Sequence, residues 1–524
     1  MTSPGIPTSA SKPYDDRNID SEERKGLLSG SDEGPSHSDN WKPEAELASD
    51  QGWSQKKIIC TAVTLIVLLI TGAFARSVFV RPPPPTHPNL LFHGDGIRSN
   101  GTHDFKRTVL IVSIDGLRAD YLDRGLTPHL LDISKQGLRA KALVPIFPTL
   151  TFPNHWALMT GLYAESNGMV GNNFWDPISK SEFHYNRIDS AWNPAWWLGE
   201  PMWETAGKAG IITANLMCAT GQVLRKQLPA HLQPTSFRGR QDKVPLKEKL
   251  DQLLSWIDLP FEERPQLLMA YEPSLDQAGH KAGPYSALVN KTLEQVDVFA
   301  KDLHTELKAR NLTDIVDIIF VSDHGMTDTS HPEHIYMDDI LGDAGYKSIE
   351  HEDGWPAMGL RFSANANVSH NLELLLNAAA ESKGKFDVYT HETMLPRYHF
   401  VNNERIAPIY VVPKIGYILT THAEGDVGMS KGNHGYDNAE PSMHAMFVAH
   451  GPFSSVVKVL HQGRSGLVRR LLSRPNKGWH STSDDTYVMD KFENVQIYSL
   501  VMRLLGVDNV APTNGSAAFW DKYF

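Results

Sequence analysis

Cysteine and positive charge are scarce in this 524-residue chain. Its two cysteines are Cys60, inside the longest apolar run, and Cys218, so the sequence after that run cannot form an internal disulfide. We expect Cys218 to be an unpaired thiol rather than a nucleophile. The formal net charge of -11 gives no basic surface for duplex nucleic acid, although it leaves nucleotides as ligands. The folded part must therefore depend on its core and on bound metals.

Long uncharged apolar runs are also scarce, and the one that stands out, IICTAVTLIVLLITGAFA, covers residues 58–75. It reaches the ~18 residues that indicate a transmembrane helix. Unbroken apolarity argues against a buried core helix, and the run starts too deep in the chain for a cleaved signal peptide. Lys56 and Lys57 before it, against Arg76 after it, place the N-terminus in the cytosol. We therefore predict a single-pass type II membrane protein of the cell surface, endosome or vacuole, with its large domain extracellular or luminal.

The segments around this run differ in composition. Residues 1–57 are polar and without hydrophobic periodicity, which predicts a disordered cytoplasmic tail. In that tail Glu23, Leu27 and Leu28 of ERKGLL fit an acidic dileucine sorting pattern, so a sorting adaptor is a predicted partner, with chance occurrence as the alternative. Residues 76–104 include RPPPPTHPN and predict a stiff stalk, and residues 105–524 predict one folded domain. Five N-glycosylation acceptors follow the apolar run: Asn100, Asn290, Asn311, Asn367 and Asn514.

Three apolar runs within 105–524 read as buried strands. They are KRTVLIVSIDG, PQLLMAYEP and DIVDIIFVSDHG. Between the last two lies SALVNKTLEQVDVFAKDLHTELKAR, whose apolar residues recur at helical spacing. Strands that alternate with helices predict an α/β fold with a mostly parallel central sheet flanked by helices.

Metal-capable side chains follow each of these strands, where ligands of an open α/β sheet gather. The candidates are Asp115, Asp276 and His280, Asp323 and His324, and His434 in KGNHGYDN. The histidines favour zinc over magnesium, and six ligands suit two ions rather than one. Two neighbouring metal ions are a common device for phosphoryl transfer. Each short motif taken alone is more often a turn, a helix cap or solvated surface.

The stretch FPTLTFPNH offers a nucleophile for such a centre. Thr151 precedes Phe152-Pro153, and proline favours the first turn of a helix. Free backbone N–H groups at a helix start attract anions, and a metal ion would lower the pKa of the hydroxyl. Thr149, earlier in the loop, is the rival nucleophile.

Several long motifs resemble those of the nucleotide pyrophosphatase/phosphodiesterase family, in the alkaline phosphatase superfamily. They are VLIVSIDGLRADYL, FPTLTFPNHWALMTGLYAESNGMVGNNFWDP, DQAGH, VSDHGMT and GNHGYDN, and the resemblance covers about Lys106 to the C-terminus. It implies an alkaline-phosphatase-like core and two Zn²⁺ ions with Thr151 as the nucleophile between them. One ion is implied on Asp276, His280 and His434, and the other on Asp115, Asp323 and His324. The lean architecture is similar to that of fungal members.

The resemblance also implies substrates and a mechanism. Thr151 would attack the α-phosphorus of a nucleoside triphosphate or other nucleotide ester, and water would then release the 5′-monophosphate. Asn172 and the backbone N–H of Thr151 are the implied oxyanion donors. Phe152 and Tyr271 match positions where the family stacks a base, although either ring could simply pack in the core.

One segment departs from the family. Residues 218–240 lack the expected Met-Trp-Pro-Gly stretch and are instead basic. They represent either a variant pocket, with arginines that contact phosphates, or an altered reading frame, which the abrupt loss and return of similarity favours. The alternatives to nucleotide hydrolysis are a phospholipid or choline phosphodiester hydrolase with the same metals, or an inactive cell-surface binding protein.

Overall fold

The computed structural model of the chain describes residues 55–79, 96–216, 244–425, 430–462, 487–521 and 523. The chain divides into two units, with the boundary between Arg81 and Pro82. Outside the described residues lie residues 1–54 of the predicted tail, with the sorting pattern, residues 80–95 of the predicted stalk, and segment 218–240 with Cys218.

The first unit contains a helix, α1 (Gln55–Phe79), over the predicted apolar segment. In the part of the chain that the structure describes, no helix combines the length and the apolarity that crossing a membrane requires. The structure therefore describes the predicted apolar segment as a helix.

The second unit contains the other elements. Its strands are β1 (Arg98–Ser99), β2 (Asp104–Phe105), β3 (Thr108–Ile114), β4 (Leu138–Ala140), β5 (Leu143–Val144), β6 (Asn173–Asp176), β7 (Ser181–His184), β8 (Thr213–Leu216), β9 (Leu267–Glu272), β10 (Val316–Val321), β11 (Thr327–Asp328), β12 (Glu333–Tyr336), β13 (Ile349–Asp353), β14 (Met358–Phe362), β15 (Phe386–Thr390), β16 (Ile409–Pro413), β17 (Tyr417–Thr420), β18 (Gly432–Asn433), β19 (Phe447–His450), β20 (Tyr487–Met489) and β21 (Phe492–Glu493). Its α-helices are α2 (Pro128–Gln136), α3 (Thr151–Thr160), α4 (Ala164–Asn167), α5 (Ile188–Ala191), α6 (Met202–Lys208), α7 (Leu246–Ile257), α8 (Ser274–Ala282), α9 (Ala287–Ala309), α10 (Met337–Tyr346), α11 (Val368–Glu381), α12 (Pro452–Gln462), α13 (Gln496–Leu505) and α14 (Ala517–Trp520). Short 3₁₀ turns cover Ala119–Asp123, Pro194–Trp196, Pro396–Tyr398 and Pro441–Met443.

A seven-stranded sheet forms the centre, in the order β20-β4-β19-β10-β3-β9-β8. The neighbours β8, β9, β3 and β10 run parallel, whereas β19 runs antiparallel to both β10 and β4. The three strands predicted from apolar runs are β3, β9 and β10, side by side at the middle. The predicted α/β fold is confirmed, with the refinement that the sheet is mixed.

Both faces of the central sheet are covered, as continuous apolar strands require. Along β3, Val109 and Ile111 enter one hydrophobic cluster, whereas Leu110 and Val112 enter another. The first cluster includes buried residues of α3, α6 and α13, and the second includes those of α2, α7 and α9. The long helix predicted from periodicity is α9, which begins after Ser286, whose side chain accepts from Val289 N–H.

A smaller antiparallel sheet, in the order β13-β14-β16-β15, packs with α10 and α11 around a core of its own. The sequence analysis did not predict this sheet. It occupies part of the chain between β10 and β18, so it lies in sequence between the segments that carry His324 and His434.

Candidate active site

The carboxyl ends of three adjacent strands carry the predicted metal ligands. Asp115 follows β3, Asp323 and His324 follow β10, and Asp276 lies in the first turn of α8, just after β9. Because β3 pairs in parallel with both β9 and β10, these ends meet at one edge of the sheet. His434 joins them from the loop after β18. The structure therefore brings all the predicted ligands together.

One group consists of Asp276, His280 and His434, which we call the α8 ligand set. The two histidine Nε2 atoms are 3.1 Å apart. Asp276 Oδ1 lies 3.4 Å from Nε2 of His280 and 3.5 Å from Nε2 of His434. Three ligand atoms this close can share one small cation.

The other group consists of Asp115, Asp323 and His324, which we call the β3–β10 ligand set. Nε2 of His324 lies 3.3 Å from Asp115 Oδ1 and 3.1 Å from Asp323 Oδ2. The two sets adjoin, because the rings of His324 and His434 stack with centroids 3.5 Å apart. Ligand atoms of Asp276, His324 and His434 also lie within 4.8 Å of one another.

The histidines of both sets are oriented in the same way. Nδ1 of His280, His324 and His434 each lies 2.8 Å from a backbone carbonyl, those of Gly432, Gly325 and Thr149 respectively. A carbonyl can only accept, so each Nδ1 carries the proton and each Nε2 presents a lone pair to the centre. This is the tautomer that a metal-ligating imidazole needs.

The carboxylates also fit bound cations. Among the described residues, Asp115 Oδ1, Asp276 Oδ1 and Asp323 Oδ2 are buried side-chain atoms without a hydrogen-bond partner. They are the same oxygen atoms that face the Nε2 atoms. Burying unpaired anionic oxygens is costly, and two divalent cations would offset that cost. The residues therefore fit a two-metal centre.

Burial and the mutual proximity of the charges shift the pKa values in this centre. Burial, with Asp323 and Asp276 nearby, raises the pKa of Asp115 well above its usual value. Burial opposes ionisation of Asp323 too, but His324 and His155 together hold its pKa well below the usual range. Burial, with His324 and His280 nearby, lowers the pKa of His434, which keeps that imidazole neutral.

Thr151 is the first residue of α3, as the Pro153 signal predicts. Its Oγ1 lies 3.1 Å from His324 Nε2, at the edge of the β3–β10 ligand set. The rival Thr149 is fully buried, and its hydroxyl donates to Tyr436 O while accepting from Gly435 N–H. Of the two hydroxyls, that of Thr151 is therefore the one next to the metal ligands.

Asn172 lies beside the start of α3. Its Oδ1 accepts a hydrogen bond from Phe152 N–H at 3.0 Å, so the amide Nδ2 is the end that can donate to an oxyanion. The half-buried ring of Phe152 contacts aromatic rings of Phe183, Tyr185 and Trp197, with centroids 5.4 to 6.1 Å away.

Tyr271 occupies a position that the sequence analysis did not foresee. Its hydroxyl donates to Asp115 Oδ2, and its ring meets the edge of His155 with centroids 5.0 Å apart. Tyr271 thus supports the carboxylate of the β3–β10 ligand set.

His155 and Asn154 are site residues that the sequence analysis missed. Nδ1 of His155 lies 3.2 Å from Asp323 Oδ2 and 3.0 Å from Thr151 O, and Nε2 lies 2.9 Å from Ser113 Oγ. Buried Asn154 binds both sides of the loop that leads to Thr151. His155 could have been found, because residues four apart share a helix face and Thr151 begins the helix.

Comparison with known proteins adds independent evidence. The profile of the family described as Type I phosphodiesterase / nucleotide pyrophosphatase matches residues 109–437. An uncharacterized pyrophosphatase/phosphodiesterase of Schizosaccharomyces pombe is 38% identical over 363 residues, 68% of this chain and 73% of that protein. Human ectonucleotide pyrophosphatase/phosphodiesterase family member 1 is 32% identical over 415 residues, 78% of this chain.

Solved structures that are similar to this chain point to the same family. Murine ectonucleotide pyrophosphatase/phosphodiesterase 5 matches with a TM-score of 0.65 and 28% identity, covering 79% of this chain and 98% of that one. An inactive threonine-to-alanine variant of the murine protein, in complex with AMP, matches with a TM-score of 0.64. The chain spans 40% of the human family member 1 and 43% of the rat family member 3.

Proposed function

Because the chain belongs to the type I phosphodiesterase/nucleotide pyrophosphatase family, we propose that it hydrolyses pyrophosphate and phosphodiester bonds of nucleotides and releases nucleoside 5′-monophosphates. The observation that carries the proposal is the position of Thr151 Oγ1, 3.1 Å from His324 Nε2 at the edge of two adjoining ligand sets. The names of the relatives and the AMP-bound neighbour support nucleotide esters, such as nucleoside triphosphates, as substrates.

Two Zn²⁺ ions are the proposed cofactors, one on the α8 ligand set and one on the β3–β10 ligand set. Three imidazoles among the six ligands favour zinc over the all-oxygen preference of magnesium. When bound, zinc would lower the pKa of the nucleophile and offset the charge of the phosphoryl group.

The chain's own residues would then carry two in-line steps. In the first, Thr151 Oγ1 loses its proton to solvent and bonds to the α-phosphorus, while the bond from phosphorus to the leaving oxygen breaks. Pyrophosphate, phosphate or an alcohol departs with that electron pair. In the second, a water oxygen bonds to phosphorus, the bond to Oγ1 breaks, and the threonine hydroxyl and the 5′-monophosphate are released.

Asn172 is proposed to donate from Nδ2 to an equatorial phosphoryl oxygen, together with the N–H of Thr151 at the open start of α3. The contact of Phe152 N–H with Asn172 Oδ1 supports this orientation. Phe152 is proposed to contact the base. The bond from Tyr271 to Asp115 supports positioning of that carboxylate, rather than base stacking, as the role of Tyr271.

The folded domain is also proposed to act outside the cytosol. The rat family member 3 and the human family member 1 are named ectonucleotide enzymes. The five acceptor asparagines are each at least partly exposed, as a site for glycan attachment requires.

The test follows ATP hydrolysis by the zinc-loaded full-length chain and identifies the products by chromatography. We expect AMP and pyrophosphate, lost with a chelator and restored by zinc. T151A should reduce turnover to background while still binding two zinc ions, and T151S should keep measurable turnover because it keeps a hydroxyl. Undiminished AMP formation by T151A would refute the assignment of Thr151 as the nucleophile. Products from lysophospholipids without AMP from ATP would favour the phospholipid alternative.

N172A separates oxyanion stabilisation from nucleophilic attack. Loss of one such donor should lower kcat about 10²–10³-fold with unchanged zinc content. Unchanged kcat in N172A would remove Asn172 from the proposed mechanism.

A further inference from the structure

A buried ion pair lies directly behind the metal-ligand sets. Lys249 Nζ on α7 is 2.6 Å from Glu272 Oε2 at the end of β9, and their side chains are only 2% and 5% exposed. A buried pair of this kind often contributes no more stability than apolar residues of the same volume. Stability alone therefore gives a weak reason for its presence.

The lysine is connected to the β3–β10 ligand set. Lys249 Nζ also donates to the backbone carbonyl of Tyr271 at 3.1 Å. The hydroxyl of the same tyrosine donates to Asp115 Oδ2. Lys249 thus holds the backbone of the residue that orients one ligand carboxylate.

The glutamate is connected to the α8 ligand set. Glu272 Oε1 accepts from the N–H of Ser274, the first residue of α8, at 2.9 Å. That N–H has no partner within the helix, and a carboxylate at a helix N-terminus is favoured by the helix dipole. Glu272 therefore fixes the start of the helix from which Asp276 and His280 project.

We propose that Lys249 and Glu272 are positioning residues that set the placement of the two ligand sets, the lysine through Tyr271 and the glutamate through the start of α8. This inference rests on the proposed two-metal centre. Two ions can share one phosphoryl group only if their ligands are held accurately, and residues behind a ligand commonly change metal affinity 10- to 100-fold. A purely structural pair would instead affect only the attachment of α7 to the sheet.

The test measures zinc affinity by competition with a chromophoric chelator, and thermal midpoint separately. K249M and E272Q should each weaken zinc binding about tenfold or more. The double variant K249M/E272L removes both charges, so it should regain much of the thermal midpoint without regaining the affinity. Y271F removes only the hydrogen bond from the tyrosine hydroxyl to Asp115, so it should weaken the binding of one of the two zinc ions.

A matched control is R405M, which breaks another buried ion pair, that of Arg405 with Asp176. Within the part of the chain that the structure describes, this pair has no contact with either ligand set. It should lower the thermal midpoint and leave zinc affinity and kcat unchanged. The inference is overturned if K249M/E272L binds zinc as tightly as the wild type, or if R405M loses as much affinity as K249M. A wild-type chain that binds two zinc ions without producing AMP overturns the proposed activity alone, since affinity still reports on positioning. A wild type that binds fewer than two overturns both.

Discussion

Asn154 gives the sharpest test of how Thr151, the proposed nucleophile, is held. All four hydrogen-bonding positions of its buried amide are used. Its Oδ1 accepts from Ile146 N–H at 2.7 Å and from Asn494 Nδ2 at 2.9 Å. Its Nδ2 donates to Pro148 O at 3.0 Å and to Leu150 O at 2.9 Å. The amide therefore ties together both sides of the loop that ends at Thr151.

The cost of N154A can be worked out from these partners. The carbonyls of Pro148 and Leu150 each keep a second donor, from Leu150 N–H and from the N–H of residue 154. The donors of Ile146 and Asn494 lose an acceptor inside the protein, at about 1–3 kcal/mol each. We expect the free energy of unfolding to fall by roughly 3–5 kcal/mol. We also expect kcat to fall, because the loop before Thr151 loses its internal support.

The assay is urea unfolding followed by intrinsic fluorescence, with kcat for ATP measured on the folded fraction. The matched control is N371A, in which a buried asparagine of α11 loses one bond, to Ser348 Oγ. That variant should lose only about 1 kcal/mol and keep the wild-type kcat. If N154A is no less stable than N371A and equally active, the hydrogen bonds of the Asn154 amide do not hold the loop.

Three further predictions concern other parts of the molecule. T149V keeps the side-chain volume but removes the hydroxyl that binds the loop of His434, so it should lower both the thermal midpoint and the zinc affinity. T151V should lower neither quantity by as much. Equal effects of the two variants would contradict the distinction between the two threonines. Burial raises the pKa of Asp353 to about 6, so the folded state holds the carboxyl proton more tightly than the unfolded state. Stability should therefore fall as pH rises from about 4 to about 6. In a pH series of thermal midpoints, D353N should abolish that part of the fall. When the chain is expressed through the secretory pathway, endoglycosidase should increase its gel mobility. S369A should remove one glycan at Asn367 while sparing the cap that Asn367 Oδ1 gives α11. Unchanged mobility on digestion would refute modification.

The gathering of the candidate ligand residues at one edge of the sheet could be predicted from the sequence because each follows a recognisable local pattern. Asp115 and Asp323 end apolar runs, and such runs become parallel strands whose ends converge. Thr151 carried its own signal in the proline two residues later. The family is confirmed, and with it the prediction that the chain is a hydrolase of the phosphodiesterase type.

The smaller sheet had no comparable signal. Its strand β13 reads IEHED, with three acidic residues among five, a composition that strands rarely have. Tertiary pairing with β14 overrides that local preference. The reversed direction of β19 was equally hidden, because a short apolar run predicts a buried strand without fixing its orientation.

Tyr271 shows why contacts behind the ligands escape sequence reasoning. The family resemblance suggested base stacking, but along β9 a side chain can point to either face of the sheet. The register of β9 against β3 pairs Tyr271 with Ser113, two residues from Asp115, and so sets its hydroxyl against that carboxylate. Lys249 reaches the same strand end from α7, 22 positions away in sequence. Such contacts depend on how helices and strands pack, so the candidate ligands can be read from motifs, whereas the residues that contact them from behind emerge only from the fold.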